Sequence, residues 1–200
     1  MANPFLYKTI LERSEGFYKE KGSKFYGYLF HADSELAFKQ EMEAIREIHS
    51  TARHFCYAYR FGAKKNVYRV NDDGEPSNSA GAPILGQIQS FDLTNVGIIV
   101  VRYFGGTKLG VGGLIHAYKE TAKLSVESNT IVEKEDEIEY RMTFEYDVMP
   151  FIMDQLKKEA WNIKNQSFEN NAVINLSVPI SKNENFLSSF AKEKVEIEEL

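Results

Sequence analysis

The longest uninterrupted apolar run in the chain, residues 96–101, shows no period-two alternation and predicts a strand buried on both faces. Around it the pattern changes period repeatedly. Residues 23–31 alternate, with Phe25, Gly27 and Leu29 opposite Tyr26, Tyr28 and Phe30, and predict a strand. Residues 10–18 read as its hairpin partner, with Glu20, Lys21 and Gly22 in the turn. Ser34 is placed to cap a helix that runs to about His49, with Phe38, Met42, Ile45 and His49 on one face. A strand over residues 53–61 sets Phe55, Tyr57, Tyr59 and Phe61 against His54, Cys56, Ala58 and Arg60. Residues 67–70 suit an edge strand, 82–91 a helix with Pro83 in its first turn, 96–103 the buried strand and 113–127 a closing helix. The order is ββαββαβα, an α+β arrangement with helices over a sheet.

The remainder repeats the logic on a smaller scale. Ile138, Tyr140, Met142 and Phe144 alternate with Glu139, Arg141 and Thr143, which predicts a half-exposed strand. A helix over about 150–160, strands over 161–168 and 172–179, a helix carrying Phe186, Leu187 and Phe190, and a strand from 195 complete βαββαβ. That is the ferredoxin-like order. The charged run 133–139 marks a boundary at about 128–137, so the expected domains are 1–130 and 137–200.

Charge separates the two parts further. Residues 1–128 hold 16 Lys+Arg against 14 Asp+Glu, whereas 129–200 hold 8 against 15, for a net −5 overall. An acidic whole argues against indiscriminate coating of nucleic acid and leaves room for a local basic patch on the first part. No apolar run approaches the ~20 residues of a membrane span, and the first residues lack a secretory pattern, so a cytoplasmic protein is expected. The single cysteine, Cys56, excludes an internal disulfide and reads as a small buried side chain.

The chemistry-bearing segment follows the buried strand. Arg102, Tyr103 and Phe104 lead into Gly105, Gly106, Lys108, Gly110, Gly112 and Gly113, so five glycines fall within residues 105–113. Such glycines permit positive φ and close backbone approach. Free amides at the next helix start, beside Arg102 and Lys108, suit a phosphate or carboxylate. The segment lacks the Gly-Lys-Ser/Thr of a Walker loop, and Ile115 stands where a dinucleotide fingerprint needs its third glycine. No nucleotide cofactor, and no cofactor of any kind, is expected.

A second cluster holds Asp72, Asp73 and Glu75, followed by Ser77 and Ser79. Its carboxylates suit Mg²⁺ or Ca²⁺ without matching an EF-hand, and Asp-Gly and Glu-Pro are also ordinary turn chemistry. Arg53 and His54 open a neighbouring strand; a His–Asp pair with Ser77 or Ser79 as nucleophile is one reading, and ligand contact or a structural histidine another. No spacing enforces a triad, so no catalytic residue is assigned. Tyr57 and Tyr103 are candidates for stacking on bases.

Four blocks then carry a resemblance: Ala52-Arg-His-Phe-Cys-Tyr-Ala, Asn71-Asp-Asp-Gly-Glu-Pro, Ser79-Ala-Gly-Ala-Pro-Ile-Leu and Ile99-Val-Val-Arg-Tyr-Phe-Gly-Gly-Thr-Lys-Leu-Gly. In order and spacing they resemble the IMPACT/YigZ-like family, over about residues 5–130. The resemblance implies a first domain of the ribosomal-protein-S5 domain-2-like type and a second, ferredoxin-like domain similar to domain V of elongation factor G. It implies a link to translation and offers no settled catalytic residues. The kinase-pathway role of eukaryotic members depends on an additional N-terminal domain, which a chain of this length is not expected to hold.

The combined expectation is a cytoplasmic, translation-associated regulator, a binding protein rather than an enzyme. RNA or a ribosome-associated protein would sit on Arg53, His54, Tyr57, Arg102, Tyr103, Lys108 and the glycine backbone of 105–113. A metal-dependent hydrolase using the acidic loop and a pure protein-interaction module are the alternatives. Neither membrane nor DNA is an expected partner.

Overall fold

The structure, a computed structural model, describes residues 5–200 and divides the chain into two units: Tyr7–Lys134, and Glu135–Leu200 together with Phe5 and Leu6. The first unit contains strands β1 (Leu6–Ile10), β2 (Ser14–Glu20), β3 (Ser23–His31), β4 (His54–Phe61), β5 (Val67–Asn71), β6 (Val96–Tyr103) and β7 (Ile131–Glu135). Its helices are α1 (Glu35–Ile48), α2 (Gly81–Ser90) and α3 (Gly110–Glu127). Five strands form an antiparallel sheet in the order β2-β3-β6-β4-β5, while β1 and β7 make a separate two-stranded ribbon. The ribbon was not foreseen. Of the hairpin strand expected over 10–18, only the part from Ser14 pairs with β3, as Ser14–Glu20, while Ile10 ends β1.

The sheet is covered on both faces. Phe25, Leu29, Cys56, Ala58, Ile98 and Val100 pack against α2 and α3 on one side. Tyr28, Phe30, Phe55, Tyr59, Ile99 and Val101 pack against Phe38 and Ile45 of α1 on the other. Strand β6, central and buried along almost its whole length, feeds both cores, as its unbroken apolar run requires. Ser34 caps α1 by accepting from the Ala37 amide at 3.3 Å.

One buried polar group sits in the α1-side core. His49, at the end of α1, lies between Tyr28 Oη, 2.5 Å from Nε2, and Tyr103 Oη, 2.9 Å from Nδ1. Burial lowers its pKa, against a smaller opposing pull from Glu15. The unfolded chain therefore takes up a proton near the ordinary histidine value of about 6.5, while the folded chain does so only at lower pH. Its contribution is complete above that pH and is lost as the pH falls through it. Urea midpoints should fall between about pH 7 and pH 5 in the wild type. His49→Phe should show a flatter profile over the same window; an identical profile would mean that His49 is not the group responsible.

The second unit holds β8 (Glu137–Phe144), α4 (Met149–Lys158), β9 (Asn162–Phe168), β10 (Ala172–Pro179), α5 (Asn183–Phe190) and β11 (Val195–Glu199). The order is βαββαβ and the sheet runs β11-β8-β10-β9, antiparallel at every pairing. Tyr140, Met142 and Phe144 close its core with Ile152, Leu156, Phe186 and Phe190. The α+β class expected from the pattern is the class observed. Among the described residues no helix is long and apolar enough to cross a membrane.

Candidate functional site

Strand β6 ends at Tyr103, and residues 104–109 lead into α3. The helix begins at Gly110, three residues earlier than its low-propensity glycines suggest, so Gly110, Gly112 and Gly113 belong to its first turn rather than to the loop. Leu109 at the N-cap supplies no side-chain hydrogen bond, which leaves the first amides of α3 without a capping group. Gly105 has a different reason to be glycine. Its backbone lies against the β2–β3 turn, its amide donates to Ser23 Oγ at 3.1 Å, and a Cβ there would overlap the backbone of Gly22 and Ser23.

That contact brings in residues the sequence did not associate with the site. Lys21 precedes Gly22 in the turn, and Lys24 pairs with Tyr103 across β3 and β6. Arg53 immediately precedes His54, the partner of Arg102 in the β4–β6 register. With Lys108 they place four exposed cations on the segments next to residues 102–108, and none of the four takes part in an ion pair among the described residues. Phe104, 59% exposed, lines one pocket with Arg53 and another with Lys108.

Arg102 is occupied otherwise. Its Nη1 donates to Glu75 Oε1 at 2.6 Å, and the two side chains are 8% and 5% exposed. Tyr118 Oη donates to the same oxygen at 2.8 Å. Cys56 Sγ lies 3.3 Å from Tyr118 Oη and 3.0 Å from the Asp72 carbonyl. Burial raises the pKa of the Cys56 thiol and of the Tyr118 phenol far above their ordinary values, so both stay protonated and Cys56 is no nucleophile. The Arg102 guanidinium lies 5.6 Å from the centroids of both Phe25 and Phe104. Arg102 is thus a floor under the loop rather than a free receptor for anions.

The acidic loop is spent on its own architecture. Asp72 Oδ1 accepts from the Ala80 and Gly81 amides at 2.9 and 2.8 Å, capping α2 from eight residues upstream, and Oδ2 accepts from Asn78. Asp73 Oδ2 accepts from the Phe55 amide at 2.6 Å, and its carbonyl accepts from His54 Nδ1 at 2.9 Å. Because a carbonyl only accepts, His54 holds its proton on Nδ1 and keeps Nε2 as the unprotonated nitrogen when neutral. Ser79 is fully buried and donates to the Pro76 carbonyl, while Ser77 is exposed. Among the described residues no group of three His, Cys, Asp or Glu could hold a metal ion.

The two tyrosines leave their strands on the other face of the sheet. Tyr57 and Tyr103 point to the α1 face of the sheet, where Tyr57 packs on Phe38 and Tyr103 bonds to His49; His54 and Arg102 belong to the opposite face. The structure therefore brings Arg53, His54, Arg102, Tyr103 and Phe104 to one pocket and Lys108 with Gly110 to its neighbour, and leaves Tyr57 outside both. The missed members, Lys21 and Lys24, left no sequence signal because the Gly22–Gly105 contact joins segments more than eighty residues apart.

These features define a two-unit α+β protein with an exposed aromatic and neighbouring cations on the loop after its central strand. Residues 21–126 match the Impact N-terminal domain. The chain is 32% identical over 173 residues to IMPACT family member YigZ of Escherichia coli (strain K12), covering 86% of this chain and 85% of that protein. It is 30% identical over 165 residues to IMPACT family member YvyE of Bacillus subtilis (strain 168), covering 82% and 76%. A crystal structure of a hypothetical protein superposes with a TM-score of 0.77 at 28% identity, over 96% of both chains. The chain belongs to the IMPACT family.

Proposed function

We propose that this protein is a cytoplasmic, translation-associated regulator that binds single-stranded RNA, free or on the ribosome, across loop 104–109. The observation that carries this reading is the exposed Phe104 ring, which shares one pocket with Arg53 and another with Lys108, while Lys21 and Lys24 sit on the adjoining turn and strand; among the described residues none of the four cations has an acidic partner. Cations around an exposed aromatic are what a single-strand binder needs: charge follows the phosphates, and the ring stacks on a base. The uncapped start of α3 adds donors for a further phosphate. The net −5 of the chain confines binding to this patch rather than opposing it. Family membership supports the link to translation.

We further infer that the first unit is S5 domain-2-like and the second ferredoxin-like. The βαββαβ order and the β11-β8-β10-β9 sheet support the second assignment. The hydrolase reading loses its support, because the carboxylates it would need are engaged by backbone amides, Arg102 and Tyr118.

Fluorescence anisotropy with a short labelled single strand at low salt tests the reading. Replacing Lys21, Lys24, Arg53 and Lys108 together by Gln should weaken binding about a hundredfold, since each removed cation leaves one phosphate unneutralised. Unchanged affinity would overturn it.

A further inference from the structure

On the α1 side of the sheet, Phe38 and Ile45 of the helix bury Tyr28, Phe30 and Tyr59. Nearer loop 104–109 the same face is open, and strand register lays out what stands there. Phe17 of β2 is directly opposite Tyr26 of β3. One row closer to the loop, Lys19 is opposite Lys24, which is in turn opposite Tyr103 at the end of β6. Alternation along each strand puts these five side chains on one face. Phe17 is 50% exposed, Lys19 and Lys24 are exposed, and Tyr26 and Tyr103 are half-buried.

Two features of this end lack partners. The first is the Phe17 ring, which rests on a fixed aromatic base. Its centroid is 5.0 Å from that of Tyr26, which lies 5.9 Å from Tyr103 and 5.3 Å from His49. The hydrogen bond between Tyr103 Oη and His49 Nδ1 holds the inner rings in place. The second is the pair Lys19 and Lys24. Like charges directly opposite across two strands cost stability, and among the described residues neither lysine takes part in an ion pair. The carboxylates of β2 do not relieve them. Glu15 is opposite Tyr28, two rows further away, and Glu20 accepts from Tyr18, which packs on the other face.

An opposed lysine pair one row from an exposed ring defines its occupant: an anion between the lysines, joined to a flat body that covers Phe17. An apolar protein surface would bury the lysine pair without a counter-charge. An acidic peptide would supply the charge without a ring beside each anion. A single strand of nucleic acid supplies both in every nucleotide. We propose that RNA bound at loop 104–109 continues past Tyr103 onto this open end of the sheet, with a phosphate shared by Lys19 and Lys24 and a base stacked on Phe17. The inference rests on the RNA reading and extends its track onto β2. Stacking of this kind accepts any base, so it adds length to the site rather than sequence preference.

Photo-cross-linking and anisotropy of the full chain with oligouridylate of about ten nucleotides test the track. A strand carrying a halogenated uracil should cross-link to Phe17 or Tyr26 as well as to Phe104, the sites being located by peptide mass. Phe17→Ala should weaken binding at least about fivefold and leave its salt dependence unchanged, since a ring and no charge is removed. Phe17→Leu, which keeps an apolar side chain against Tyr26, should bind as weakly as the alanine variant, whereas Phe17→Tyr should bind like the wild type. Tyr68→Ala removes a ring that is 59% exposed on β5, at the opposite edge of the same sheet, and should change nothing. Wild-type affinity in Phe17→Leu, or cross-links confined to Phe104, would overturn the track and leave the RNA reading standing. Failure of the wild type to bind the strand at all would overturn both.

Discussion

Glu75→Ala should destabilise the first unit by about 3–5 kcal/mol, because it strands the Arg102 guanidinium in a site with almost no water. The ion pair is buried on both sides, and Tyr118 donates to the same carboxylate, so removing it also orphans a buried phenol. The mechanism predicts a second result that a simple loss of contact would not. The double variant Glu75→Leu, Arg102→Met, which removes both charges and keeps the volume, should recover most of the loss. Urea unfolding followed by circular dichroism measures both. A double variant as unstable as the single would show that the network stabilises through geometry rather than through charge compensation.

Gly105→Ala should have the next largest effect, about 1–3 kcal/mol, from overpacking against backbone that has no rotamer to change. The new methyl group meets Gly22 and Ser23 and must drive the loop away from the β2–β3 turn. That displacement separates Lys108 and Phe104 from Lys21 and Lys24, so RNA affinity should fall along with stability. Gly112→Ala is the contrast. A Cβ at Gly112 meets nothing within 4 Å, and the position lies inside α3, so stability should stay level or rise by up to about 1 kcal/mol. If the two variants behaved alike, close approach would not be what Gly105 provides.

Much of the architecture was legible because burial writes itself into sequence period. Residues 96–103 could only be a strand covered twice, and β4 and β8 declared which side chains share a face. The start of α3 was misplaced by three residues because glycine propensity predicts a loop where packing of Leu114 and Tyr118 holds a helix. The site was half legible. Composition located the loop, its glycines and Lys108. It could not show that Arg102 is neutralised by Glu75, since the two meet only when the Asp72–Ser79 segment folds back over the end of β6. Nor could it show that Tyr57 and Tyr103 lie across the sheet from His54 and Arg102. Parity within each strand was readable, but the side from which the loop would be approached depends on where α1 and α3 pack.

The salt dependence of RNA binding addresses the central claim, that the exposed cations Lys21, Lys24, Arg53 and Lys108 beside loop 104–109 form a receptor for phosphate. Four neutralised phosphates on a single strand predict a slope of about −3 in log affinity against log salt. Each of Lys21→Gln, Lys24→Gln, Arg53→Gln and Lys108→Gln should reduce its magnitude by about 0.7. A wild-type slope near zero, or slopes that do not respond to these substitutions, would contradict the account.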